Sequence, residues 1–92
     1  MTLVRIEKIC EAQIKQRKIM SWDIWTKEIS RFEWYYDCQE ECLILDGEII
    51  VETDDGNFSI FAGDFVTFSK GLHCVWNVIK PVSKHYKFSE TL

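Results

Sequence analysis

Four short clusters of turn-forming residues divide the second half of the chain: Asp46-Gly47, Asp54-Asp55-Gly56-Asn57, Ala62-Gly63-Asp64 and Lys70-Gly71. The pieces between them are too short for helices of ordinary length, and they are rich in β-branched and aromatic residues. Asp-Gly between alternating apolar residues is a strong hairpin signal, so a turn is expected at Asp46-Gly47. Strands are predicted over Ile29 to Asp37, Glu40 to Leu45, Glu48 to Thr53, Phe58 to Phe61, Phe65 to Phe68 and Leu72 to Ile79. Pro81 interrupts, and Val82 to Phe88 forms the last strand. Thr2 to Glu7 alternates well enough for a short edge strand. Ile9 to Met20 carries a weak helical pattern of about two turns. About eight strands, with turns every eight to twelve residues or so, predict an all-β sandwich or barrel. Trp22 and Trp25 are expected to cover an end or the outer face of that barrel, and His85 to lie on the surface.

The chain has 92 residues, enough for a single domain, with a lead-in over residues 1–21 and a barrel over about residues 22–88. A hydrophobic content of 47%, with 14% aromatic, excludes disorder. The net charge of −4 and the lack of any basic cluster beyond Arg17-Lys18 argue against nucleic acid as a partner. No apolar run approaches the ~20 residues that cross a bilayer, so no membrane partner is expected. The N-terminal residues alternate charged and apolar groups without a signal-peptide core. A cytoplasmic location is the resulting expectation, with Cys10, Cys38, Cys42 and Cys74 reduced. In an extended stretch Cys38 and Cys42 would stand roughly 13 Å apart, too far for one zinc ion.

Alternation assigns faces. Glu40, Cys42 and Ile44 share one side of their strand, and Leu43 and Leu45 the other. Leu72, Cys74, Trp76 and Val78 fall together, opposite His73, Val75 and Asn77. Phe32, Trp34 and Tyr36 form a third set. If these faces line one interior, Glu40 sits among indoles and phenols. Desolvation there would raise its pKa and suit it to acid/base work near neutrality. Lys84 and Tyr86 share a face of the last strand and could reach a pocket mouth. The plain alternative is a filled barrel, with Cys42 and Cys74 as small core residues and Lys84 exposed.

These residues also carry a resemblance. Glu40 followed by Gly47 resembles the second half of the first cupin motif; Gly63, Ser69, Lys70, Gly71 and Cys74 resemble the frame of the second. The wider string, from Trp34-Tyr35-Tyr36-Asp37 to Lys84-His85-Tyr86, is similar to the small cupin branch related to (S)-ureidoglycine aminohydrolase. The resemblance implies a jelly-roll β-barrel of two antiparallel sheets. Metal-binding cupins hold their ion with two His before the Glu and one after it. At the matching positions this chain has aromatic residues, Trp34 and Tyr36 by the nearest spacing, and Cys74, so only Glu40 remains of the ligand set.

The expectation is therefore a small-molecule ligand held in the barrel with no tightly bound cofactor. In an enzyme reading, Glu40 is the acid/base, Tyr36 or Cys74 its polar partner, and Trp34 and Trp76 the stacking walls, with Cys42, Lys84 and Tyr86 as further ligand contacts. The alternatives are a metal-dependent hydrolase or isomerase with a divalent metal at Glu40 and Cys74, and a non-catalytic binding or interaction module. A homodimer is expected as one cover for the Leu43 and Leu45 face; the N-terminal segment is the other.

Overall fold

A computed structural model describes residues 3–89. Among them are β1 (Val4–Glu7), α1 (Glu11–Gln16), a 3-10 turn (Ile19–Ser21), β2 (Asp23–Lys27), β3 (Ser30–Tyr35), β4 (Gln39–Thr53), β5 (Gly56–Phe61), β6 (Phe65–Phe68) and β7 (His73–Ser89). Thr2, the first residue of the expected edge strand, lies outside the described residues. Every pairing is antiparallel. The first half of β4 pairs with β6 and with the end of β7, and its second half with β5 and the start of β7. β1 extends one layer beyond β6, β2 extends it beyond the end of β7, and β3 edges the other layer beside the start of β7. The result is the expected jelly roll of two antiparallel layers, with a sheet that does not close on itself.

Two expected breaks are bends instead. Asp46-Gly47 is not a hairpin turn: β4 runs through it, with register shifts between Ile44 and Ile49. The dipeptide supplies the same positive backbone angle to a bulge that it would supply to a hairpin, and Gly47 has φ +106°. Pro81 likewise does not end its strand; it falls between the ladder pairs Glu48–Lys80 and Asp46–Ser83, where no amide hydrogen is needed. The two bends lie against each other. A Cβ on Gly47 would stand 2.5 Å from the Pro81 carbonyl oxygen. Four expected strands thus become β4 and β7. The segment Asp23–Lys27 adds the unexpected strand β2, leaving seven strands among the described residues.

The bends fold both long strands over one core, built from Cys42, Ile44, Ile49, Val51, Ile60, Val66, Phe68, Cys74, Trp76 and Val78. Phe68 from one layer and Trp76 from the other meet with ring centroids 5.6 Å apart. A second, smaller cluster lies on the opposite face of β4 and β6. There Ile19 covers Leu43 and Phe65, with Ile9, Ile14, Trp22 and Leu45 around them. Such side chains contribute roughly 2 kcal/mol each on burial, so the N-terminal segment itself covers the face for which a partner subunit was the other candidate. Trp22 takes the outer position expected of it. His85 is a correction: it is buried, not superficial, and its Nδ1–H donates to the Trp22 carbonyl at 2.9 Å.

Replacing Gly47 by alanine should cost about 3 kcal/mol, from backbone strain and overlap with Pro81 together. Gly56→Ala, whose Cβ would meet nothing within 4 Å, should cost only the backbone part, about 1–2 kcal/mol. Urea unfolding of the two variants measures the difference; equal midpoints would contradict the close approach.

Candidate functional site

Alternation along β4 sends Glu40 inward beside Cys42 and Ile44, and Glu40 is 2% exposed. Tyr36 stands in the link between β3 and β4. Its amide donates to the Leu72 carbonyl at 2.9 Å, and its own carbonyl accepts from the Gly71 amide at 2.7 Å. That double bond fixes the link, and the ring turns inward to stack on Phe68, with centroids 4.9 Å apart and planes 5° apart. The Tyr36 hydroxyl donates to Glu40 Oε1 at 2.9 Å.

Lys84 corrects the sequence reading. It lies at the floor of the interior, not its mouth, with a side chain only 6% exposed. The register pairs Ile44 with Lys84, Cys42 with Tyr86 and Glu40 with Phe88, so the lysine stem runs inward on the Glu40 face. Its Nζ donates to Glu40 Oε2 at 2.7 Å. The ammonium also lies 4.5 Å from the Trp76 ring centroid, 4.9 Å from that of Trp25 and 6.0 Å from that of Tyr86. Ring faces partly replace the water that a buried cation loses.

Above this floor is a cavity of about 190 Å³. Trp25, Phe32, Trp34 and Trp76 wall it, and Tyr86 and Phe88 complete the lining. Trp25 meets Trp76 edge-on at 5.8 Å, and Phe32 stacks with Trp76 at 6.2 Å. Trp34 and Phe88 are each 45% exposed and form the rim. The Trp76 indole N–H is buried without a hydrogen-bond partner.

Of the residues singled out from sequence, Tyr36, Glu40, Trp34, Trp76, Lys84 and Tyr86 converge on this cavity. Cys42 and Cys74 do not line it; both are packed into the core. Burial, opposed in part by Lys84, pushes the Cys42 thiol up to about 12. Burial and then the Glu40 charge push Cys74 up to about 11. Both shifts run opposite to what a nucleophile or thiolate ligand needs. Burial, reinforced by the Glu40 charge, raises the Tyr36 phenol far above its usual range, which keeps it a donor. Trp25, expected on an end or outer face, is instead a wall. Phe32 and Phe88 were missed as site residues, although alternation puts them on the faces of Trp34 and Lys84.

The donor set does not fit a metal ion. No group of three or more His, Cys, Asp or Glu side chains comes together among the described residues. Both oxygens of Glu40 are engaged, one by an ammonium that would repel a divalent cation.

The chain as a whole is similar to known proteins. The profile of the EutQ-like cupin domain matches residues 14–86. The crystal structure of a DUF861-family protein from Thermotoga maritima is 48% identical, with a TM-score of 0.91 over 94% of this chain and 99% of that one. The EutQ protein of Clostridium difficile is similar at 18% identity and a TM-score of 0.67, over 73% of this chain and 53% of that one. A DUF861-family protein of unknown function from Pseudomonas syringae is 19% identical, with a TM-score of 0.65 over 72% of this chain and 29% of that one. These two distant likenesses concern the fold alone. No curated protein is a significant match to the chain.

Removing Lys84 while leaving Glu40 strands a buried carboxylate. Lys84→Met should therefore cost about 3–5 kcal/mol, and the double variant Lys84→Met with Glu40→Gln should recover most of it. Additive losses in urea unfolding would show the pair to be uncoupled. A second expectation concerns alkaline pH. Cys42, Cys74 and Tyr36 have raised folded pKa values, so each favours folding below its unfolded pKa and that contribution fades above it. The urea midpoint should fall as pH rises from about 9 towards 11; a flat profile over that range would contradict the burial of these groups.

Proposed function

The chain belongs to the EutQ-like cupin domain family, and on that premise we propose that it binds a small, flat organic molecule in the aromatic cavity, over a floor whose cation is Lys84. The observation that carries this reading is the cavity itself: flat rings on its walls and a buried ammonium–carboxylate–phenol group beneath. A dry cavity of about 150 Å³ is enough for a benzene molecule, so about 190 Å³ suits a single ring or a short chain of similar bulk. A hydrolase of the ureidoglycine aminohydrolase kind, working through a bound divalent ion, is the weaker reading, because the donors at the floor do not make a metal shell.

Within this proposal the roles differ from those expected at first. Glu40 accepts from both Tyr36 and Lys84, which makes it the anchor of the lysine. Lys84 has further N–H bonds to offer a guest. Trp34 and Trp76 keep the part of stacking walls, and Trp25 joins them.

A set of single-ring compounds, followed by NMR of the indole N–H groups, tests this reading. A ligand of eight or nine heavy atoms should bind with a Kd of about 0.1–1 mM. Its addition should shift the indole signals of Trp25, Trp34 and Trp76 and leave that of Trp22, which packs in the outer cluster, unchanged. Failure of every compound to shift the first three, or equal movement of Trp22, would contradict the proposal.

A further inference from the structure

Resting on the binding reading above, we infer the chemical class of the guest: an arylalkyl molecule whose flat ring fills the cavity and whose apolar chain leaves through the mouth along Trp34 and Phe88, with any polar group at the chain's far end, in water. The closure of the cavity and the make-up of its mouth carry this.

The cavity is closed below. Its volume of about 190 Å³ takes one ring and little more. At the floor Glu40 is 2% exposed and is held by Lys84 at 2.7 Å and by the Tyr36 hydroxyl at 2.9 Å. Further along the same face of β4, Cys42 and Ile44 belong to the packed core. Reaching deeper would mean parting the buried ion pair, which costs several kcal/mol. Whatever a guest carries beyond its ring therefore projects through the mouth.

The mouth is aromatic and half in water. Trp34 and Phe88 line the cavity and are each 45% exposed. Each meets edge-on a ring set deeper than itself: Trp34 meets Tyr36 at 6.4 Å, and Phe88 meets Tyr86 at 5.6 Å. Ring surface thus continues from the floor to the outside on two sides, by way of β3 and of the end of β7. Such rings present about 150–250 Å² apiece, so the two rim rings leave on the order of 100 Å² each in water. A chain laid along them covers part of that area with every methylene. Other exposed apolar side chains, such as Met20, Ile24, Ile29 and Phe61, do not line the cavity, and single residues of that kind are ordinary on a surface. The two charged side chains of the lining, Glu40 and Lys84, are both at the floor. A polar chain at the rim would exchange water for ring carbons and lose by it; an apolar chain gains.

NMR titration with benzyl alcohol, phenylethanol, phenylpropanol and phenylbutanol, each with its hydroxyl at the chain end, tests this. In the wild-type protein Kd should fall about twofold for each added methylene, and about tenfold across the series. Benzyloxyethanol, which matches phenylbutanol in length but has an ether oxygen within its chain, should bind about threefold or more weakly than phenylbutanol. In Trp34→Ala and in Phe88→Ala the ratio of the benzyl alcohol Kd to the phenylbutanol Kd should drop to about threefold or less. That ratio is taken within one variant, so a general loss of affinity cancels. In the wild-type complex with phenylbutanol, the guest's ring should show proton contacts to Trp76, and its chain methylenes contacts to the rings of Trp34 and Phe88. A flat wild-type series, an unchanged ratio in both variants, or the reverse placement, with the chain against Trp76 and the ring at the rim, would overturn the inference and leave the cavity reading in place. If no member binds at concentrations on the order of 10 mM, both readings fall. The wild-type series and contacts decide the matter even if a variant proves unstable.

Discussion

An ammonium and a carboxylate, both removed from water, set the terms for the interior of this protein. Moving either one alone out of water would cost several kcal/mol, and together they persist because each supplies what the other has lost. Lys84 comes from the far half of β7 and Glu40 from the start of β4, so the pair fixes the register of the central ladder from its polar side. Tyr36 adds the link from β3. The three groups therefore tie together the elements on which the cavity stands. A pair of this kind need not add stability over an apolar replacement. Its more direct effect is to specify one arrangement of rings around one cation.

The bends in β4 and β7 are the other condition for a cavity. A flat sheet would leave the Glu40 face and the Trp76 face side by side in water. Because both strands turn where Gly47 lies against Pro81, the two faces close on each other and the rings meet across the gap. The apolar core fills the region near the bends, through Ile44, Ile49 and Val78. The large rings of Trp25, Phe32 and Trp76 keep the remaining end from collapsing, since they stack edge-on and face-on without filling the space between them. The jelly roll thus encloses a cavity whose floor carries the chain's own cation, the Lys84 ammonium.

Much of this was readable from alternation. The grouping of Glu40, Cys42 and Ile44 against Leu43 and Leu45 follows from a two-residue period, as does that of Cys74, Trp76 and Val78, and the structure keeps both. Local chemistry could not distinguish a hairpin from a bulge at Asp46-Gly47, because both use the same positive φ; only the continued pairing of β4 with β7 decides. The destination of Lys84 was hidden for a similar reason. Alternation turns it inward with Tyr86, but its meeting with Glu40 depends on a cross-strand register that no local pattern encodes. Trp25 was misplaced because Ile24 and Thr26 blur the alternation of β2, whose partner residues on β7 lie far along the chain. His85 is buried by Trp22, again through long-range packing.

The charge state and surroundings of Lys84 bear most directly on the whole account. Nitrogen-15 NMR of the lysine side chains at neutral pH can observe an ammonium whose protons exchange slowly because water does not reach them. The account predicts such a signal for Lys84, with proton contacts to the rings of Trp76 and Trp25 and loss of the signal in Lys84→Met. A Lys84 ammonium that exchanges as fast as the surface lysines, with no contact to either indole, would contradict it.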